Sequence, residues 1–214
     1  MSFRTTDINF WRATTVSILA ALIPSVSLAQ NQWAPVAPYV DHYHQLVFDN
    51  LIGDEPQEAW MIVRPPFRPE YAVKIIRKYQ EDEPAGRSRY VVELAVAQHS
   101  IWAAFREKGG NAIHVSVERR SAELSSSDAY AFIDKWASAL KEIRYSDDEQ
   151  MGIDGTDYDF YAKKRFGSTW SPTGGVPFAM VKDGECLAQF VTIGDSARLK
   201  QLSKCLGINQ TVSP

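Results

Sequence analysis

The sequence predicts an α+β fold: a mainly antiparallel sheet of about five strands, with a long helix packed on one face and a C-terminal helix. Three observations carry this expectation. Runs of period-two alternation, such as Tyr90, Val92, Leu94 and Val96, recur without the long helical crossovers that a parallel sheet requires. Ala129, Phe132, Ile133, Trp136, Ala137, Leu140 and Ile143 form an unbroken helical stripe, with Asp134, Lys135, Lys141 and Glu142 on the other side. The connectors between these runs are rich in proline, glycine and charge.

In order along the chain, Met1 to Ala29 reads as a secretory signal peptide. Arg4 and Arg12 precede a mostly apolar stretch, and Ser27-Leu28-Ala29 supplies small residues before a cut near Ala29. Thr14, Thr15, Ser17, Pro24 and Ser25 make the stretch too polar and too short for a comfortable membrane span. The remainder, residues 30–214, has the length of a single domain. It is therefore expected in the periplasm or outside the cell, with no membrane span in the mature chain.

After a proline-bearing lead-in, Val40, Tyr43, Val47 and Leu51 recur at helical spacing and stop at Gly53. Glu58 to Arg64 and Tyr71 to Tyr79 have strand character. Pro65-Pro66-Phe67-Arg68-Pro69 between them is too proline-rich for a two-residue hairpin. In the second run Tyr71, Val73 and Ile75 alternate with Lys74 and Lys78, which predicts one buried face and one wet face.

Glu81 to Arg87 is a charged turn, followed by a strand from Arg89 to Ala97 and a short helix through Ile101, Trp102 and Phe105 that stops at Gly109-Gly110. Ile113, Val115 and Val117 alternate with His114, Ser116 and Glu118 as a fourth strand. Ser125-Ser126-Ser127 and Asp128 cap the long helix. A fifth strand runs from Tyr158 to about Phe166. Phe178 to Ile193 admits two readings: a hairpin closed by Lys182-Asp183-Gly184, or a helix weakened at Gly184. Asp195 or Ser196 caps a last helix carrying Leu199, Leu202 and Leu206, which ends at Gly207.

Gly152-Ile153-Asp154-Gly155, then Tyr158, then Trp170-Ser171-Pro172 resemble a group of small exported bacterial proteins to which no function is assigned. Arg64 to Val73 is also similar to that group. The resemblance spans the middle two-thirds of the mature chain and implies a fold type. It brings no catalytic residues, and the chain departs from the pattern after Pro177.

The net charge of −3 argues against nucleic acid or anionic lipid as a partner, since both require a concentrated positive face. Cys186 and Cys205 form an even pair in an exported chain and are expected to be bridged, contributing about 3 kcal/mol in the chain-entropy picture.

Gly194-Asp195-Ser196 has the look of a lipase nucleophile block, but no histidine follows it and capping explains it. His42 and His44, near Asp41, share one metal ion only if the segment is extended, because two positions apart on a helix they diverge. Asp154, Asp157 and Asp159 offer oxygen ligands without the spacing of a calcium loop, and Asp154-Gly155 suits a turn. Among Trp33, Trp60, Trp102, Trp136 and Trp170, the last lies in an apparent loop and is the leading contact residue.

The expected binding residues are thus Trp170, Asp154, Asp157, Asp159 and Tyr161, with no catalytic set, no metal and no cofactor. The reading is of an exported, non-catalytic cell-envelope domain that binds a protein or wall component. Its alternatives are a periplasmic immunity or inhibitor protein directed at a toxic enzyme, and a hydrolase using an acidic site.

Overall fold

In the computed structural model, the described residues are 41–79, 88–109, 113–142 and 155–193, with Ala197, Gln201, Leu202 and Cys205. The order is α1 (His42–Leu51), β1 (Gln57–Arg64), β2 (Tyr71–Tyr79), β3 (Ser88–Ala97), α2 (Ile101–Lys108), β4 (Val117–Leu124), α3 (Ser126–Ala139), β5 (Asp157–Ala162), β6 (Arg165–Trp170) and α4 (Gly175–Thr192). The fold is α+β. The six strands pair antiparallel throughout, in the order β4-β3-β2-β1-β5-β6.

Side chains alternate across the sheet, so the central strands feed two cores. Met61, Val63, Val73, Ile75, Val92 and Phe160 pack against the stripe of α3 and against α4. Trp60, Ile62, Ala72, Ala95 and Ala97 pack on the other face, with Val47 and Leu51 of α1 and Ile101 of α2. The expectation of one wet face is corrected here: Lys74 is only 2% exposed. Its ammonium donates to Ile52 O at 2.9 Å and lies 3.1 Å from Glu93 Oε1. Arg119 also reaches Glu93 and donates to Asn50 O and Leu51 O. Two cations from the sheet thereby satisfy the carbonyls at the C-terminus of α1, where the helix dipole favours positive charge.

Two further expectations change. The fifth strand is a hairpin, split at Lys163 and Lys164, whose φ values of 48° and 64° make the tight turn. Such turns normally carry Asn or Gly, so two lysines hid the break. Lys164→Gly is expected to raise stability by about 0.5–1 kcal/mol by relieving the left-handed conformation. A lower urea midpoint for the variant would show that the turn is held by other contacts.

The fourth strand is Val117–Leu124, rather than the run from Ile113 to Val117. Ile113 and Val115 are buried against α1. There Asn50 Nδ2 donates to Ile113 O and Asn50 Oδ1 accepts from Val115 N, which takes over the bonds a ladder would make. The long helix is capped by Ser125, whose hydroxyl accepts from Asp128 N, and it ends in a 3-10 turn at Leu140–Glu142.

Of the two readings of Phe178 to Ile193, the helix holds. Gly184 lies against the sheet so closely that a Cβ there would meet Met61 Sδ and Cε at 2.4 Å. Buried Asp183 binds Lys135 Nζ and accepts from Trp136 Nε1 of α3 at 3.4 Å. The residues that looked like a turn are the points where α4 meets its neighbours.

Cys186 of α4 is bridged to Cys205, with the Cα atoms 5.6 Å apart. Of the expected last helix, Ala197, Gln201, Leu202 and Cys205 are helical, and Leu202 and Cys205 join the α3/α4 core. Leu199, Leu206, the capping residues Asp195 and Ser196, the leader Met1 to Ala29, and Asp154 lie outside the described residues. Among the described residues, no helix is long and apolar enough to cross a membrane.

Candidate functional site

The expected site residues that are described share one face. Asp157, Asp159, Tyr161 and Trp170 occupy one side of the β5/β6 hairpin, since Asp157 is paired with Trp170 and Asp159 with Ser168. That is the side of the α1/α2 core, where all four are engaged. Both guanidinium nitrogens of Arg64 bind the Asp159 carboxylate, the second at 3.2 Å from Oδ1. Tyr161 stacks on Trp60, with centroids 5.7 Å apart and planes at 18°, and also meets Phe166. Trp170 is a β6 strand residue packed on Gly155, where a Cβ would come within 1.9 Å of its ring. Glycine is therefore required at position 155 for this close approach.

Asp157 stands opposite Arg64 in the ladder. Burial pushes its carboxyl above the ordinary 3.8, aided by Asp159, while Arg64 and His44 pull the other way. A carboxyl whose pKa is raised by folding favours the folded state at acid pH, and that advantage is lost as pH rises through the raised value. Asp157→Asn is accordingly expected to raise the melting temperature at pH 7, with the gain fading towards pH 3. A lower melting temperature for Asp157→Asn at pH 7 would show that its carboxylate is held by a favourable partner.

Near this cluster, Glu70 is 1% exposed and joins three elements. Its carboxylate accepts from Ile101 N at 2.7 Å, Trp102 N at 2.9 Å and Tyr43 Oη at 2.9 Å. It thus serves the first amides of α2. His42 and His44 lie on α1, so the shared-ion condition fails: His42 meets Phe105 edge-on, and His44 Nδ1 lies 2.8 Å from Asp41.

The opposite side of the sheet, at the same end, carries a groove of about 340 Å³. Its floor is one transverse row across four strands: Val96 opposite Tyr71, Tyr71 opposite Val63, and Val63 opposite Tyr158. Pro65, Arg68 and Pro69 of the β1–β2 connector form a wall, and Thr156 closes the β5 end. Thr156 is fixed by reciprocal bonds with Ser171: its N donates to Ser171 Oγ at 2.7 Å, and its O accepts from Ser171 N at 2.8 Å. Phe67, at the tip of the same connector, is 84% exposed.

Burial raises the phenols of Tyr71 and Tyr158, and Glu185 of α4 adds to both, so they remain protonated donors. The groove joins apolar walls, two phenol hydroxyls and one cation. The aspartate-rich stretch does contribute to this groove, but through Thr156 and Tyr158. A strand's period of two sends those even-numbered residues to the other face from Asp157 and Asp159. The proline connector was visible in sequence as a stiff link; that it walls a groove depends on strand pairing.

The tryptophans separate in the same way. Trp60 and Trp136 are core residues, and among the described tryptophans Trp102, at 42% exposure, is the open one, stacked on Phe105 beneath Arg106. Trp33 lies outside the described residues. Comparison with protein-family models, curated proteins and solved structures finds no match to this chain.

Proposed function

We propose that this protein is an exported, non-catalytic domain of the cell envelope that binds a partner protein in the groove floored by Tyr71, Val63 and Tyr158. The observation that carries the reading is the groove itself, walled by a connector on which Phe67, a large apolar side chain, is 84% exposed. An exposed aromatic side chain gains free energy when a partner covers it. The signal-like leader and the similarity to small exported proteins support the location; the acidic charge balance favours a protein over nucleic acid.

Phe67→Ala and Tyr158→Ala used as bait in envelope extract are expected to lose the partner that the unaltered protein retains. Identical partner lists for all three baits would remove the groove from consideration. Because Phe67 is solvent-exposed, its variant reports on binding with little effect on folding.

A further inference from the structure

β4 ends the sheet, and among the described residues no strand lies on its outer side. In an antiparallel ladder each residue turns its N–H and C=O to the same neighbour, and successive residues alternate between the two sides. Gln98 N donates to Ser116 O at 2.9 Å, and the same register pairs Val96 with Glu118 and Leu94 with Arg120. The even-numbered residues of β4 therefore bond to β3, which turns the N–H and C=O of Val117, Arg119, Ser121 and Glu123 outward. These four also share one face, that of the α1/α2 core on which Val117 packs. Glu118, Arg119, Arg120, Ser121 and Glu123 are exposed.

We infer that this edge pairs with β4 of a second copy of the chain, antiparallel about a twofold axis at Ser121, so that two sheets join into one. The charges select both the occupant and the register. With Ser121 opposite its own mate, Arg119 of each copy stands opposite Glu123 of the other, and Arg120 stands opposite Ala122. Opposite charges facing each other across a ladder stabilise it, and like charges destabilise it. An axis at Glu118, Arg119, Arg120 or Glu123 sets a charge against its like, and an axis at Ala122 faces Arg119 and Glu123 with serines. Both members of the pair have bonding capacity left among the described residues. Bonds to Leu51 O, Glu93 and Asn50 O leave Nε–H and one Nη2–H of Arg119 for a further acceptor, and Glu123 meets Arg89 through Oε1. The Ser121 pair and the two Arg119–Glu123 pairs exchange about six backbone hydrogen bonds, which gives partners to an edge that otherwise faces water. The inference is independent of what the groove holds.

Analytical ultracentrifugation of the purified, disulfide-bonded protein tests this. A reversible dimer is expected, and Glu123→Arg is expected to weaken it by at least about tenfold, since two attractions become repulsions. Ser121→Pro removes the outward N–H at the axis and leaves the bonds to β3, so it is expected to abolish the dimer with little change in melting temperature. Should Ser121→Pro lower the melting temperature, Glu123→Arg alone decides. Ser121→Cys reads the register: opposite residues of a hydrogen-bonded pair have Cα atoms about 5.5 Å apart, within disulfide reach, so mild oxidation is expected to link two copies. Arg120→Cys, off the axis, is expected not to link. A protein that stays monomeric at its highest soluble concentration overturns the inference, as does a dimer that withstands either substitution. Linking through Arg120→Cys, or no linking through Ser121→Cys, overturns the register and with it the Arg119–Glu123 pairing.

Discussion

Arg64→Ala is expected to destabilise the protein by about 3–5 kcal/mol, because it strands a buried carboxylate without its counter-ion. Arg64 is 8% exposed and Asp159 13%, and they form the bidentate pair that links β1 to β5. Asp157, opposite Arg64 in the ladder, loses the nearest positive charge as well. The cost belongs to the orphaned acid rather than to the pair itself. Arg64→Met combined with Asp159→Leu is therefore expected to recover most of the loss, since an apolar pair of similar volume replaces a buried ion pair at little cost. Urea unfolding of the single and double variants distinguishes the two effects. A double variant as unstable as Arg64→Ala would mean that the ion pair is itself the stabilising feature.

Glu70→Ala should cost about 3 kcal/mol, from leaving two α2 amides and the Tyr43 hydroxyl without an acceptor inside the protein. Four donors converge on this carboxylate, the Ser100 hydroxyl at 3.4 Å being the fourth, and it is almost wholly buried. Glu70→Gln keeps one acceptor oxygen and is expected to lose about half as much. The loss should be concentrated at α2, so amide exchange at Ile101 and Trp102 should accelerate in Glu70→Ala more than exchange in the β1–β2 ladder. Equal acceleration throughout the sheet would indicate that Glu70 supports the whole fold rather than one helix end. Of the sheet's remaining polar contacts, Lys74 and Arg119 perform the reciprocal task at the C-terminus of α1.

Much of the fold was legible because local chemistry decides it. Tyr71, Val73 and Ile75 mark a strand, Ser125 and Asp128 mark the start of α3, and Gly109, with φ of 66°, ends α2. The apolar stripe of α3 could fold only as a helix against a sheet. The pair Cys186 and Cys205, the only cysteines in the chain, is bridged as its count suggested. These features lie within a few residues of one another or depend on arithmetic, so no knowledge of distant partners is needed.

Other features depend on what the chain brings into contact. Lys163 and Lys164 carry no turn signature, and their left-handed backbone is imposed by pairing of Asp157–Ala162 with Arg165–Trp170. Lys74 and Glu93 look like solvent-facing strand residues until α1 covers them and requires a cation beneath its last carbonyls. Asp183-Gly184 looks like a turn until Lys135 and Trp136 bind the acid and Met61 occupies the space a side chain would need.

At the candidate site, the dense aromatic and acidic stretch around Asp157 and the stiff proline connector before Tyr71 are legible in residue order alone. Which side of that stretch is open follows from strand pairing. Cross-strand register aligns Tyr158, Val63 and Tyr71 in one row, while Arg64 draws Asp159 inward on the opposite face. The physical reason is that a strand alternates its side chains with a period of two. Composition names the residues of such a strand, but the pairing of distant segments assigns each one to a groove or to a core.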